Sequence, residues 1–220
     1  MVETARTAHL RVRAAIASAA LMVAILFQAS PSQAAQCTDY AIEAEREHDL
    51  PPGLLLSIAL VESGMGGVPQ PYALNVGGRP VMAASREEAR AHLRDPAGRL
   101  RKNVMVGCMQ ISLTYHKEHF KPVDRILDPR ANVFYAARYL KRLRIETGSW
   151  TKAVARYQGG SQRQRLAYVC KVHGNLSALA AEGASILDAA HCPDGTAPGI
   201  APETRQKFRN RQIASADHMY

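Results

Sequence analysis

The chain has 220 residues, with 28 Lys and Arg against 19 Asp and Glu and a formal charge of +9. Such an excess suits an anionic surface or polymer, a cell wall or phospholipid headgroups included, and it equally suits plain solubility. No basic stripe is interleaved with aromatics, which sets nucleic acid aside as a partner.

Arg6, Arg11 and Arg13 precede an apolar stretch, Ala14 to Phe27, broken only by Ser18, and QASPSQAAQC follows it. A positive segment, an apolar run of about 14 residues and small residues at a cleavage point form the pattern of a secretory signal peptide. The run falls short of the roughly 20 apolar residues of a membrane-spanning helix. Cleavage is expected after Ala34 or Ala35, and Gln36 before Cys37 argues against a lipoprotein. Residues 1–35 therefore read as a signal peptide and 36–192 as one domain with its own core. The basic stretch 193–220 reads as a flexible tail. No transmembrane span is expected after cleavage, and the site of action is expected to be the periplasm.

All four cysteines, Cys37, Cys108, Cys170 and Cys192, follow the signal. An even count in an exported chain argues for two disulfides. There is no CxxC pair and no His at ligand spacing, so zinc is disfavoured. Three connectivities are open; nearness in sequence favours Cys170–Cys192, which leaves Cys37–Cys108.

In chain order, TDYAIEAEREHDL is an amphipathic helix begun by Thr38 or Asp39, and Pro51 and Pro52 interrupt it. Leu54, Leu55, Leu56, Ile58, Ala59, Leu60 and Val61 then make a helix that is apolar on almost every side, the mark of a buried element. Gly64, Gly66 and Gly67 end it. YALNVGGRPVM is a hairpin about Gly77-Gly78. SREE, Ser85 to Glu88, has the spacing of a capping box and starts a short helix to about Leu93. NVMVG, Asn103 to Gly107, is a third strand, and the chain is expected to be helical from Met109 onward.

LDPRANVFYAARYLKRLRIETG is the clearest helix, with Asp128 as cap and Pro129 in its first turn. Val133, Ala136, Ala137, Leu140 and Leu143 share one face. Gly148 stops it and Ser149 opens the next, which carries Trp150, Ala153, Val154 and Tyr157. Two more helices are expected, about Arg163–Val172 and Ser177–Ala190. The fold class is thus mainly α with a small inserted sheet, a β-hairpin or three strands.

Glu62 sits in the last turn of the apolar helix. There the macrodipole disfavours its ionised form, and apolar walls act in the same direction. Both raise its pKa above the roughly 4.3 of a free Glu, as a general acid requires. The blander reading is a solvent-facing Glu that closes the helix. His116 and His119 stand in TYHKEH, which is neither of the metal-binding histidine motifs it approaches. No serine has a GxSxG context.

ESG (62–64), GCMQI (107–111), LDPRANVFYAARYL (127–140) and AVARYQGG (153–160) occur in this order. Together they resemble the lytic transglycosylases of the SLT family, whose domain is lysozyme-like, over about residues 37–172. The resemblance implies that Glu62 is the sole catalytic acid/base. Gly107, Met109 and Gln110 would line the glycan cleft, Gln110 bonding sugar and Met109 packing on it. Tyr157 would be the cleft tyrosine near the acid, and Ser63 would orient substrate. Plainer readings exist: Met109 as core, Tyr157 as a buried tyrosine with a satisfied hydroxyl, Ser63 as a helix end. The chain departs from the family's pattern at Cys108, where Leu is usual, at Met105, where an acid is frequent, and at Gln158, where Asn is usual.

Water-using glycosidases need two carboxyl groups. Asp95, Glu118, Asp124 and Asp128 are the other acids near the motifs, and none stands out. The resemblance implies that one suffices. Glu62 would protonate the oxygen of the MurNAc–GlcNAc β-1,4 bond, and the sugar's own 6-hydroxyl would attack to leave 1,6-anhydroMurNAc. No metal and no cofactor is implied, and the partner is peptidoglycan. Two alternatives stay open: a hydrolytic muramidase, and a non-catalytic peptidoglycan-binding assembly factor. The single-domain build resembles transglycosylases that serve secretion systems and other envelope-spanning machines.

Overall fold

The computed structural model describes residues 33–179, 182–193 and 199–216. The signal-peptide assignment therefore lies almost wholly outside the described residues. Among them, no helix is long and apolar enough to cross a membrane.

Helix α1 (Gln33–Glu47) begins before Thr38, which is buried, and Asp39, which is paired with Lys207; neither caps it. Helix α2 (Leu54–Ser63) is the apolar helix, buried from Leu54 to Ala59 and again at Ser63. Gly53 precedes it at φ 82 and offers no side-chain cap. The cap comes from α1 instead: Glu45, 3% exposed, accepts from the Gly53 amide at 2.8 Å and the Leu56 amide at 2.9 Å. Burial pushes the Glu45 carboxyl up to about 7 against those amide hydrogen bonds.

Strands β1 (Gly64–Met65) and β2 (Val68–Pro69) form a small hairpin directly after α2. A separate antiparallel sheet has the order β4-β3-β5-β6, from β3 (Ala73–Val76), β4 (Arg79–Met82), β5 (Val104–Val106) and β6 (Ile111–Ser112). It has four strands where two or three were expected. Leu74 pairs with Val81 and Val106, and Val106 with Ile111, so one face carries aliphatic side chains in register. The turn between β3 and β4 is Gly77-Gly78, both at positive φ, as a tight hairpin needs. Ser85 caps α3 (Arg86–Ala91) through the Glu88 amide.

The expected helix from Met109 is corrected. Residues 107–110 form a turn with Gly107 at φ 78 and Gln110 at φ 45, β6 follows, and α4 starts only at Leu113 and ends at His116. Helix α5 (Pro129–Thr147) is capped by Asp128 and stopped by Gly148 in the left-handed region. Ser149 caps α6 (Trp150–Gln158).

Helix α7 (Gln162–Ala178) opens with a Ser161–Gln164 capping box and runs unbroken through Gly174, where two helices were expected. Packing outweighs the glycine: Val172 and Leu176 are buried, and Asn175 donates to the Ser57 carbonyl of α2 at 3.1 Å. Where the second was expected, the described residues hold a 3-10 turn at Glu182–Ile186.

The tail is also corrected. Pro202–Ala216 is a helix, α8, docked on α1 with Ile200, Ala201, Thr204 and Phe208 buried. Its sequence is mostly polar, so its docking rests on a few side chains and on hydrogen bonds. Disulfides join Cys37 to Cys108 and Cys170 to Cys192. The first ties α1 to the Gly107–Gln110 turn; the second ties α7 to the chain that follows it.

Candidate active site

Glu62 stands in the last turn of α2 and is partly buried. The Tyr168 hydroxyl, from α7, donates to its Oε1 at 2.5 Å. Burial pushes the Glu62 carboxyl up to about 7, with the Tyr168 hydrogen bond pulling the other way. Tyr168 is 5% exposed, and burial together with the Glu62 charge holds its phenol well above the ordinary value. It therefore stays a donor. Tyr157 from α6 is also close enough for the Glu62 charge to raise its phenol, after burial. An acid so placed holds its proton near neutral pH and can give it to a leaving oxygen.

Ser63 follows Glu62 and is buried. Its Oγ lies 2.8 Å from the Cys108 carbonyl and 3.3 Å from that of Ala59, and it accepts from the Gln70 amide at 3.2 Å. A hydroxyl so occupied fastens the helix end to the Gly107–Gln110 turn and leaves little for a ligand.

That turn is held from below by Asn132 of α5, fully buried. Its Oδ1 accepts the Met109 amide at 3.0 Å, and its Nδ2 donates to the carbonyls of Val106 at 2.9 Å and Ile126 at 3.1 Å. The Gly107 amide bonds the Ala73 carbonyl at 2.8 Å. The GCMQI and DPRAN stretches are thus one structural unit.

Met109 has no exposed surface, so its side chain is core and the expected packing on sugar is corrected. Its carbonyl accepts the Tyr157 hydroxyl at 2.9 Å, which satisfies that hydroxyl inside the protein. Gln110 is half-buried, and its Nε2 donates to the carbonyls of Ala73 and Gly107, both at 3.0 Å. It has its carbonyl oxygen left to offer. Gln158 is exposed at the end of α6; among the described residues no hydrogen bond joins it to the others.

The other acids near the motifs sit in other settings. Asp95 binds Arg99, Asp124 binds Arg90, Asp128 caps α5, and exposed Glu118 lies 3.9 Å from Lys117. Glu45 shares the raised pKa of Glu62 but lies at the opposite end of α2. His116 bonds the Tyr135 hydroxyl through Nδ1 at 2.7 Å. It packs on Tyr135 and Tyr139, and Tyr139 in turn packs on Tyr157. Burial first, then His119 and Arg142, keep its pKa below the ordinary 6.5.

A groove of about 290 Å³ is lined by Met65, Gln70, Tyr72, Ala73 and Met82 among others. It adjoins the site through Gln70, which bonds Ser63, and through Ala73, which holds Gln110.

Three residues that matter here were not singled out from sequence. Tyr168 had a signal: it shares the buried face of α7 with Val172 and Leu176 at four-residue steps. Asn132 lay inside a quoted motif. Glu45 had none, since only the fold brings it to Gly53. A family model described as the transglycosylase SLT domain matches residues 39–168. No curated protein and no solved structure matches the chain.

Proposed function

The chain belongs to the transglycosylase SLT domain family, and from that premise we propose that it cleaves the MurNAc–GlcNAc β-1,4 bond with Glu62 as sole acid and base. The family consists of lytic transglycosylases, so the chain is a glycan-cleaving lyase of peptidoglycan and acts in the cell envelope. The observation that carries the assignment of Glu62 is its carboxyl, bonded by Tyr168 and pushed up to about 7.

In this reading Glu62 protonates the glycosidic oxygen. The 6-hydroxyl of the same MurNAc attacks the anomeric carbon and passes its proton to the Glu62 carboxylate, which regenerates the acid. The C–O bond to GlcNAc breaks, a new one closes the 1,6-anhydro ring, and no water is consumed. An intramolecular nucleophile gains from proximity what a second carboxylate would supply to water. The engagement of Asp95, Asp124 and Asp128 elsewhere, and the exposure of Glu118, support the one-acid route over a muramidase. Gln110 offers its carbonyl oxygen, Tyr157 its ring and Gln158 its exposed amide to the glycan. Ser63 and Met109 serve by fixing the backbone around the acid. No cofactor or metal takes part.

Residues 1–35 are proposed as the export signal, 36–192 as the catalytic domain, and the periplasm as the site of action. The basic charge suits an anionic wall, and the single-domain build supports local service to an envelope-spanning machine such as a secretion system. The test is mass spectrometry of soluble muropeptides released from purified peptidoglycan, with Glu62→Gln in parallel. Products one water lighter than reducing-end muropeptides, made by wild type and not by the variant, are expected. Reducing-end products would mean a muramidase. Binding without products would mean an assembly factor.

A further inference from the structure

Helix α8 lies beyond the stretch matched by the family model, yet it reaches three elements that hold Glu62. Thr204 is 1% exposed, and its Oγ1 donates to the Gly67 carbonyl at 3.1 Å. The Ala201 amide donates to the same oxygen at 3.2 Å. Gly67 has φ 80, and a Cβ built on it would lie 2.3 Å from both Ala201 N and Gly199 O. The two backbones are in direct contact, with no room for a side chain between them.

Gly67 belongs to the turn between β1 and β2, the hairpin that leaves α2 directly after Glu62 and Ser63. At its far end the Gln70 amide returns to the Ser63 carbonyl at 3.1 Å. Arg205 Nη1 donates to the Ala178 carbonyl at 2.8 Å, at the end of the helix that bears Tyr168. Lys207 pairs at 2.6 Å with Asp39 of α1, the helix whose Glu45 caps α2. A helix that merely covered the core through Phe208 and Ile200 would need none of these polar links. A buried hydroxyl aimed at one carbonyl constrains direction as well as distance.

We propose that Thr204 is a positioning residue for the catalytic acid: through Gly67 it fixes the hairpin after Glu62, and so keeps the carboxyl beneath Tyr168. The proposal rests on the assignment of Glu62 as the acid. It makes the C-terminal helix part of the machinery, though it contributes no group to the cleft.

Thr204→Val keeps the shape and removes the donor; Thr204→Ser keeps the donor. Both are made in the full chain and assayed on soluble peptide-bearing glycan strands for kcat, KM, pH profile and melting temperature. The Val variant is expected to lose on the order of threefold to tenfold in kcat, with KM held within about twofold. The alkaline midpoint of its pH profile is expected to move down, because a displaced carboxyl meets more water; Tyr168 and Tyr157 are the titratable groups facing it. Ser is expected to restore both values. Arg205→Met, which cuts the link to Ala178, is expected to move the midpoint the same way and serves if the Val variant folds poorly. Wild-type kcat and midpoint in the Val variant would overturn the proposal. So would a loss that only tracks the folded fraction with the midpoint unmoved. Cleavage by Glu62→Gln would instead overturn the assignment of the acid.

Discussion

The carboxamide of Asn132 occupies the space that a side chain on Gly107 would need: a Cβ there would lie 2.9 Å from Asn132 Nδ2. The glycine and the asparagine, on different elements, are therefore one requirement. Replacing Asn132 by Ala leaves the Met109 amide and the carbonyls of Val106 and Ile126 buried without it. A loss of about 2–4 kcal/mol is expected in urea unfolding. A loss below about 1 kcal/mol would show that the turn holds without it.

Glu62→Gln is expected to reduce cleavage by at least about a hundredfold, the scale of a missing general acid. Its stability near pH 7.5 should equal or exceed that of wild type, because an acid held against burial no longer has to ionise there. Lost activity together with a lower melting temperature would mean that Glu62 is a structural group.

Tyr168→Phe removes the hydrogen bond that lowers the Glu62 pKa. The proton is then held more tightly, so the alkaline limb of the rate profile should move to higher pH. A downward shift would mean that the hydroxyl's main effect is to exclude water, and that its removal lets water in.

Burial raises Glu45 and Glu62 from an ordinary 4.5 to about 7. The folded chain then binds protons that the unfolded chain releases, so this stability is fully present below about pH 4.5 and is lost as pH rises to about 7. His48 and His116, whose pKa values are lowered, act in the opposite sense. The informative quantity is therefore the difference between wild type and Glu45→Gln. That variant is expected to lose about 1–3 kcal/mol of the stability difference between pH 5 and pH 7.5. An unchanged difference would mean that Glu45 titrates normally.

The Cys37–Cys108 bridge spans a sequence separation of 71, the Cys170–Cys192 bridge one of 22. Chain entropy alone predicts losses of about 4 and about 3 kcal/mol for the paired Cys→Ala variants. Because the first bridge also anchors the turn beneath Ser63, it should lower kcat as well. Equal kcat in the two double variants would count against that coupling.

The elements legible in the sequence are those set by neighbouring residues. Asp128 and Ser149 cap as their positions suggest, Gly148 stops α5, and Gly77-Gly78 turns the hairpin. Glu62 stood out as a carboxyl ending an apolar helix, where a solvent-facing reading was equally open, and the order of four short motifs led to the family. What escaped was decided over distance. Met109 and Gln110 read as a helix start, yet Asn132, 23 residues further on, captures the Met109 amide and holds the turn. Two helices were expected over 163–190, yet Asn175, between them, is held to Ser57 across 118 residues and α7 runs through. Helix α8 read as a tail because, beyond Ile200 and Ala201 just before it, its buried side is little more than Thr204 and Phe208. Met109 shows a different failure, since a motif names a residue without saying whether its side chain or its backbone does the work.

Glu62 and Tyr168 are 106 residues apart. A polypeptide delivered N-terminus first therefore presents Glu62 to water long before the tyrosine arrives, and a solvated glutamate is an ordinary weak acid, ionised near neutrality. The burial that lets it keep its proton near neutral pH is complete only when the helix bearing Tyr168 has docked. With Glu62 as the proposed acid, a chain cut short of that helix is expected to carry a charged, unburied carboxylate there and to leave peptidoglycan intact.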